Sequence, residues 1–403
     1  MIRKVRLAAL IICLLLVCLS PGMVQAGNGL TVLASSAEVN FPAVLSFRLS
    51  AESDANITDI RLKYRVDHMG FAQVTSEVYI EFVPATSVEA GWNWDMRKTG
   101  GLPPGSSVEY WWTVDDAGGN KIETEPVKVS FDDNRYDWNE LTEGWVTIFW
   151  YDGEVPFAQE VMLAAQQALT RLYEDTGAML EKPVNIYIYA DARGLQESMI
   201  FPREWTGGVA FTRYGTIAIG IAPDSLEWGR KAIAHELTHL VIHQMTFNPY
   251  GDLPTWLDEG LAMHAEGKLE PALAAFLSNS VAENNLISVR SLASPFSAFA
   301  EESALAYVQS HSLVEFLIDA YGQDKMFRLL SVFKQGSEYD KALVKVYGFD
   351  MDGLDTLWRD YITADTLPVQ SADEGISPVM IGILVAIGAG LILVLILFIK
   401  KRV

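Results

Sequence analysis

The chain has 403 residues, of which 50% are hydrophobic and 11% aromatic, and its formal net charge at pH 7 is −21. This length and composition exclude an intrinsically disordered protein and leave room for more than one folded domain. The acidic excess argues against nucleic acid as a partner, because binding to phosphates requires a basic surface.

Residues 1–26 have the pattern of a secretory signal peptide. Three basic residues near the N-terminus precede the apolar run LAALIICLLLVCLS, and the small-residue sequence VQA stands before Gly27. An uncleaved N-terminal anchor is the alternative, but the apolar run is short for a membrane span. Both cysteines, Cys13 and Cys18, lie in this segment. The predicted mature chain therefore has no thiol for disulfides or metal binding.

Residues 27–132 contain short β-rich runs separated by turn signals. AVLSFRLSA, ITDIRLKYRVD and SVEYWWTVDD are three of these runs, and ESDAN and DAGGNK are two of the turn signals. This spacing predicts an all-β sandwich of the immunoglobulin or fibronectin type III kind. The polar stretch DDNRYDWNELTEGW, residues 132–145, is interpreted as a linker.

The pattern becomes mixed between residues 143 and 365. Strands are predicted at WVTIFWY, VNIYIYA and GTIAIGIA, and a long helical pattern covers 157–180. GTIAIGIA is either an edge strand beside a cleft or an interior strand. Asp224 or Ser225 can cap the next helix, and helical patterns continue from 268 to about 364. The expected fold is α+β, with a small sheet and a motif-bearing helix followed by a helical subdomain.

The C-terminal residues have the pattern of a membrane anchor. A polar stalk at 366–377 leads to an uncharged apolar run, and a transmembrane helix is predicted at 378–399. The basic residues at 400–402 predict that residues 400–403 are a short cytoplasmic tail. The localisation expected from this order is a single-pass protein of the cell membrane with its N-terminal ectodomain outside.

The stretch KAIAHELTHLVIHQM carries the motif HExxH, from His235 to His239. On a helix, residues four apart lie on one face, so both imidazoles can reach one metal ion. Imidazole nitrogens suit Zn²⁺, and Glu236 can approach a water molecule at the metal from the side. His243 continues the spacing, but it is interpreted as a flanking helix residue.

A third ligand is sought in LPTWLDEGLAMHAEG. Thr255 can be an N-cap with Asp258 at position N3, so a new helix is predicted to begin here. Glu259 lies in the first turn of that helix and is the candidate ligand. The alternative is an acidic residue favoured there by the helix dipole.

Together, HExxH and WLDEGLA resemble the gluzincin metallopeptidases, the thermolysin-like clan, and more narrowly the peptidase-MA-like families. The resemblance covers about residues 145–365 and implies one zinc ion per chain, held by His235, His239 and Glu259, with Glu236 as the general base. It also implies a peptide or protein substrate. Thermolysin relatives usually have an acidic residue four positions after the ligand glutamate, where this chain has Met263. The orienting partners of the zinc histidines are therefore unassigned.

The oxyanion formed during hydrolysis requires a further donor. Tyr307 and His311 are candidates, four residues apart on a predicted helix, and a core tyrosine with a surface histidine is the alternative. His264 and His68 are interpreted as incidental. A Gly-Met-Glu-type motif for a substrate amine is not found upstream, which favours an endopeptidase over an aminopeptidase.

The sequence thus predicts a membrane-anchored extracytoplasmic zinc metallopeptidase. One alternative is a catalytically inactive peptidase-like surface protein that acts in binding, adhesion or sensing. A second alternative is a metallohydrolase whose substrates are not peptides.

Overall fold

The computed structural model describes residues 25–27, 29–202, 207–297 and 300–364. The predicted stalk, transmembrane helix and tail lie outside the described residues, as does nearly all of the predicted signal peptide. Of the helices that are described, none combines the length and the hydropathy needed to cross a membrane.

The first third of the described chain is an antiparallel β-sheet region. Each strand pairs with the long third strand or with a strand next to it. They are β1 (Gln25–Gly27), β2 (Leu30–Asn40), β3 (Val44–Val66), β4 (Ser76–Tyr79), β5 (Ala85–Asp95), β6 (Ser106–Asp116), β7 (Lys121–Glu123) and β8 (Val127–Phe131).

Strand β3 belongs to both halves of this region. Its first half pairs with β2 and β5, and its second half pairs with β4 and β6. The predicted turn ESDAN is a register irregularity inside this one strand, so the prediction of two separate strands there is wrong. Phe47 from the first half and Leu62 from the second share a single core with Trp112. The strands form one continuous sheet around this core, and an immunoglobulin-type topology stays a prediction.

A second sheet follows, with strands β9 (Asn139–Glu143), β10 (Val146–Trp150), β11 (Val184–Tyr189), β12 (Gly208–Phe211) and β13 (Thr216–Gly220). Their order is β12-β13-β11-β10-β9, with β10, β11 and β13 parallel and the two outer strands antiparallel. GTIAIGIA therefore contributes an interior strand, β13, and the alternative of an edge strand is wrong. Every residue of β13 is buried, as is typical of a parallel strand covered on both faces.

The predicted linker at 132–145 is packed against this second sheet. Strand β9 lies within it, and the buried Asp133 carboxylate accepts hydrogen bonds from the Tyr189 hydroxyl at 3.0 Å and from the Arg135 guanidinium at 2.6 Å. Trp138 makes edge-to-face contacts with Tyr187 and Tyr189. Part of this stretch is therefore ordered against the sheet, and its role as a linker stays a prediction. The predicted division of the chain at 27–132 and 143–365 stays a prediction.

Helices make up most of the remaining chain. They are α1 (Val155–Thr176), α2 (Ala192–Glu197), α3 (Leu226–Thr246), α4 (Thr255–Ala265), α5 (Pro271–Ala282), α6 (Val289–Leu292), α7 (Ala300–Tyr321), α8 (Gln323–Lys334), α9 (Tyr339–Tyr347) and α10 (Met351–Ala364). This order confirms the expected mixed α+β character, with the helical part after the second sheet.

Helix α3 lies between two hydrophobic cores. Ile233, Leu237 and Leu240 join the core beneath the second sheet, whereas Val241 and Met245 join the core of the C-terminal helices. Apolar contacts on two sides fix the rotation of α3. The remaining face, which carries the histidines, is directed at α4.

Candidate metal centre

Three side chains from two helices converge at the contact between α3 and α4. His235 and His239 lie one turn apart on α3, and their Nε2 atoms are 3.2 Å from each other. Glu259 on α4 places Oε2 3.6 Å from His235 Nε2 and 3.7 Å from His239 Nε2. These three ligand atoms could hold one ion. The sequence predicted this set, and the helix spacing explains why both imidazoles reach the same point.

The donor set fits a metal ion. Glu259 Oε2 is buried and has no hydrogen-bond partner. A buried acceptor without a partner costs free energy, and a cation at this point would satisfy it. Two imidazole nitrogens and one carboxylate oxygen, with a further position open, are the donors that catalytic zinc sites use.

Each metal-facing histidine has a carboxylate behind it. His235 Nδ1 lies 2.7 Å from Glu266 Oε1, and His239 Nδ1 lies 3.1 Å from Asp258 Oδ1. An ionised carboxylate only accepts hydrogen bonds, so each Nδ1–H donates and each Nε2 keeps its lone pair for a metal.

These two orienting partners were not found in the sequence. The position four residues beyond Glu259 is Met263, whereas Glu266 lies seven residues beyond it and just after the last turn of α4. Two helical turns bring residues seven apart back to one face, and this spacing is the signal that could have found Glu266.

The start of α4 differs from the prediction by one residue. Pro254 occupies the N-cap position, and Thr255 is the first helical residue, so Thr255 is not the N-cap and Asp258 is not at N3. The Thr255 hydroxyl instead donates to the Ala293 carbonyl at 3.4 Å. Proline is tolerated at this boundary because N–H groups at the start of a helix have no partner within it. The missing N–H of Pro254 therefore loses no helical hydrogen bond. The Asp258 carboxylate is thereby free to face the histidines.

Asp258 also reaches a third histidine. Its Oδ2 lies 3.0 Å from His243 Nε2, while its Oδ1 faces His239. Although burial alone would raise the pKa of Asp258, the charges and hydrogen bonds of His239 and His243 hold it well below its usual range. Asp258 is therefore an ionised acceptor between two imidazoles.

The carboxylates at this site carry more negative charge than neutral imidazoles can balance. Burial lowers the pKa of His239, but the Asp258 and Glu259 carboxylates outweigh it and raise that pKa to about 9. Burial likewise opposes protonation of His235, whose pKa Glu259 and Glu266 nevertheless raise well above its ordinary value. The cluster thus favours positive charge at the point where the Nε2 atoms meet, and protons or a metal ion can supply it.

Glu236, the predicted general base, is buried beside this point. Burial raises its pKa above the ordinary carboxyl value, while the charges of His235 and His239 lower it. Gly208 of the edge strand β12 lies directly against it, since a Cβ built on Gly208 would be 3.0 Å from Glu236 Oε1. The absence of a side chain at Gly208 leaves room for the carboxylate next to the metal-binding atoms.

The two candidate oxyanion donors differ in their placement. Tyr307 is half-buried on α7, where its ring makes an edge-to-face contact with Phe296 at 5.2 Å. It lies one turn before Ser310, the residue whose carbonyl faces Gly260 of α4. His311 is buried, and its Nε2 donates to the Gly267 carbonyl at 3.2 Å, while its buried Nδ1 has no hydrogen-bond partner.

The histidines interpreted as incidental have ordinary contacts. His264 Nε2 lies 3.1 Å from Asp175 Oδ2, and the exposed His68 stacks on Tyr214 with ring centroids 5.7 Å apart. Neither takes part in the cluster at His235, His239 and Glu259.

Comparison with known proteins finds one family model that matches the second half of the chain. Residues 164–364 match the family model of the Peptidase MA superfamily. None of the curated proteins matches the chain.

Two solved structures that resemble the chain have little sequence in common with it. A mutant M1 zinc metallopeptidase from Deinococcus radiodurans is 13% identical, with a TM-score of 0.36, and the match covers 85% of this chain and 96% of that chain. Aminopeptidase A of Legionella pneumophila, in complex with aspartic acid, is 10% identical with a TM-score of 0.37, and the match covers 82% and 50%. The chain thus spans about half the length of that aminopeptidase.

The matched residues contain the whole of α3 and α4, and with them HExxH, Glu259 and the carboxylates behind the histidines. Residues 164–364 of this chain are therefore similar to the Peptidase MA superfamily.

Proposed function

We propose that this chain is a zinc-dependent endopeptidase that hydrolyses peptide bonds with Glu236 as its general base. The observation that carries the proposal is the convergence of His235 Nε2, His239 Nε2 and the partnerless Glu259 Oε2 beside the buried Glu236 carboxylate. One zinc ion per chain would be held by these three atoms. When bound, zinc supplies a Lewis acid that lowers the pKa of water and polarises a carbonyl group.

Glu236 would take the proton from the attacking water and deliver it to the leaving amine nitrogen. A general base works best when its pKa lies near the working pH, and burial moves the pKa of Glu236 in that direction. Glu236 is not among the three residues whose ligand atoms converge at the metal-binding point. Its role is therefore separable from metal binding.

Tyr307 would donate its hydroxyl hydrogen to the oxyanion that develops on the scissile carbonyl. Helix α7, which carries Tyr307, packs against α4, which carries Glu259, and Gly260 allows their close approach. A preorganised donor of this kind contributes about 3–4 kcal/mol to transition-state stabilisation.

The preference for internal peptide bonds rests on β12. This edge strand faces Glu236 through Gly208, and none of its residues, Gly208–Phe211, is acidic. An aminopeptidase requires a carboxylate for the substrate's free amine. An endopeptidase requires only an extended surface for the peptide chain.

Membrane anchoring and an extracytoplasmic location are part of the proposal and rest on the sequence alone. The apolar run at 378–399 is followed at once by three basic residues, which the positive-inside rule assigns to the cytoplasm. Protease treatment of intact cells should release a soluble fragment ending before residue 378. Full protection of the chain in intact cells would contradict this topology.

The test of the activity uses the purified full chain in detergent. Zinc content is measured by elemental analysis, and cleavage of a peptide library is followed by mass spectrometry before and after chelation. We expect about one zinc per chain, cleavage at internal bonds, loss of cleavage with the chelator and recovery when zinc is returned. Zinc binding without cleavage of any peptide would favour the inactive binding protein, and release of single N-terminal residues would contradict the endopeptidase assignment.

A further inference from the structure

The contact between α3 and α4 is a ladder of alternating histidines and carboxylates. His235, His239 and His243 follow one another at one-turn intervals on α3, each on the face turned to α4. Glu259 lies between the first two histidines, with its Oε2 3.6 and 3.7 Å from their Nε2 atoms. Asp258 lies between the second and third, with one oxygen on each.

The two carboxylates are used differently. Glu259 offers the same oxygen to both of its histidines, and that oxygen has no hydrogen-bond partner. Asp258 offers separate oxygens, at 3.1 Å to His239 Nδ1 and at 3.0 Å to His243 Nε2. A metal ion requires ligand atoms that converge on one point, as at Glu259. Hydrogen bonding requires that each oxygen accept from its own N–H, as at Asp258.

His243 therefore restrains the carboxylate on which His239 depends. A carboxylate is planar, so holding Oδ2 in one direction fixes the direction of Oδ1 as well. Only rotation about the side-chain bonds of Asp258 could release Oδ1 from His239, and the bond to His243 opposes that rotation. His243 is 28% exposed, so its ring is held on α3 partly by this bond.

We propose that His243 is a positioning residue, which orients the metal ligand His239 through Asp258. The proposal rests on the proposed zinc-dependent function, because it assigns His243 a role toward that ion. Groups that orient metal ligands typically change metal affinity by 10–100-fold when they are removed. His243 acts one hydrogen bond further out, and we expect about a threefold to tenfold effect.

The chain offers a matched set of variants. His243→Leu keeps the approximate size of the side chain and removes the donor, while His243→Gln keeps an N–H donor at a similar distance from the backbone. His264→Leu is the control, because His264 also donates to an aspartate, the half-buried Asp175, at 3.1 Å. That aspartate does not contact His235, His239 or Glu259.

The experiment measures the zinc dissociation constant of the full chain by competition with a chromophoric chelator. The same proteins are loaded with Co²⁺ in place of zinc, and the visible absorption spectrum reports the geometry of the ligands. We expect His243→Leu to weaken zinc binding by about threefold to tenfold and to shift the Co²⁺ bands. His243→Gln should restore both to near the wild-type values, and His264→Leu should change neither.

The outcomes separate the inference from the proposed function. If wild type binds zinc and His243→Leu matches it in affinity and spectrum, the positioning role is wrong while the proposed function stands. If wild type binds no zinc, the proposed function fails and the inference with it. If wild type binds two ions and His243→Leu binds one, His243 is a ligand of a second metal, and the positioning role is overturned.

Discussion

Helix α4 meets two neighbouring helices with faces of opposite chemistry. Toward α3 it presents Asp258, Glu259 and, just past its end, Glu266, all within hydrogen-bonding or metal-binding reach of histidines. Toward α7 it presents Gly260, whose missing side chain lets the Ser310 carbonyl and the Val314 side chain approach. The first contact is polar and buried, and the second is close-packed.

The same residue type behaves differently at the two contacts. Carboxylates beside His239 raise its pKa to about 9 although the ring is buried. His311 on α7 is also buried, but its Nε2 donates to a backbone carbonyl, and burial lowers its pKa to about 4. Burying charged groups together costs stability compared with apolar packing. The charges at the α3 contact are therefore weak evidence for stability, and three of the ligand atoms there could hold a metal ion.

The largest effect is expected from Glu236→Gln, which tests whether the α3 contact contains a base as well as a metal site. Gln keeps the size of the side chain and removes the proton acceptor. Peptide hydrolysis should fall by about 10² or more, while zinc content and the melting temperature stay at wild-type values. The measurement is kcat on a cleaved peptide together with elemental analysis.

Glu227→Gln is the control for this variant, because Glu227 is an exposed glutamate in the first turn of the same helix. Its hydrolysis rate should equal that of wild type. A Glu236→Gln variant that cleaves as fast as wild type would place the activity at another site.

The second prediction concerns the neutral histidine of the α7 contact. His311 has a pKa of about 4 in the folded chain, against an ordinary value near 6.5 when unfolded. Between these values the unfolded chain binds the proton and the folded chain does not, so stability should fall as the pH drops from about 6.5 to 4. The neighbouring titratable groups are His264, 5.8 Å away between ring centroids, and Glu315, whose Oε2 is 3.9 Å from His311 Nδ1.

Urea unfolding at pH 7, 5.5 and 4 measures this dependence, and His311→Gln is the comparison because it lacks the titrating ring. Wild type should lose about 3 kcal/mol more than the variant over this range. If the stability of both proteins changes equally with pH, His311 is not a buried neutral histidine in the folded chain.

A third prediction tests the packing of the α7 contact through Gly260→Ala. The added methyl group would meet the Ser310 carbonyl and the Val314 side chain, so the two helices would have to separate. Alanine is better than glycine in a helix by about 1 kcal/mol, but overpacking costs about 1–3 kcal/mol. We expect a net loss of stability in urea unfolding. Gly251→Ala, at a position with no atom within 4 Å of the added carbon, should be nearly neutral.

The metal-facing residues were accessible from the sequence because they depend on local spacing. His235 and His239 are one turn apart, and a helix places both imidazoles on one face whatever surrounds it. Glu259 followed from its position at the start of a second helix. The sequence does not predict the contacts of Asp258, Glu266 and His243. These contacts depend on the rotation and crossing of α3 and α4, which tertiary packing sets.

The strand predictions show the same limit. GTIAIGIA was identified as a strand, but its interior place depends on β12, a four-residue strand that carries little periodic signal. ESDAN has the composition of a turn, yet pairing with β5 and β6 on either side holds it within β3. Local propensity was outweighed in both cases by partners distant in sequence.

The smallest effect among these predictions is expected from Glu266→Gln, which weakens the hydrogen bond behind His235 without removing it. The amide oxygen can still accept from His235 Nδ1–H, but the negative charge that makes the imidazole a stronger ligand is lost. We expect the zinc dissociation constant to rise about tenfold, with one zinc still bound at saturation. Glu270→Gln is the matched control, because Glu270 lies four residues further along and pairs with Lys231 instead of a histidine. If both variants weaken zinc equally, the effect is general electrostatics of an acidic surface. If neither variant weakens zinc binding, Glu266 does not orient His235. The α3 face of α4 would then be less specialised for metal binding than its contacts indicate.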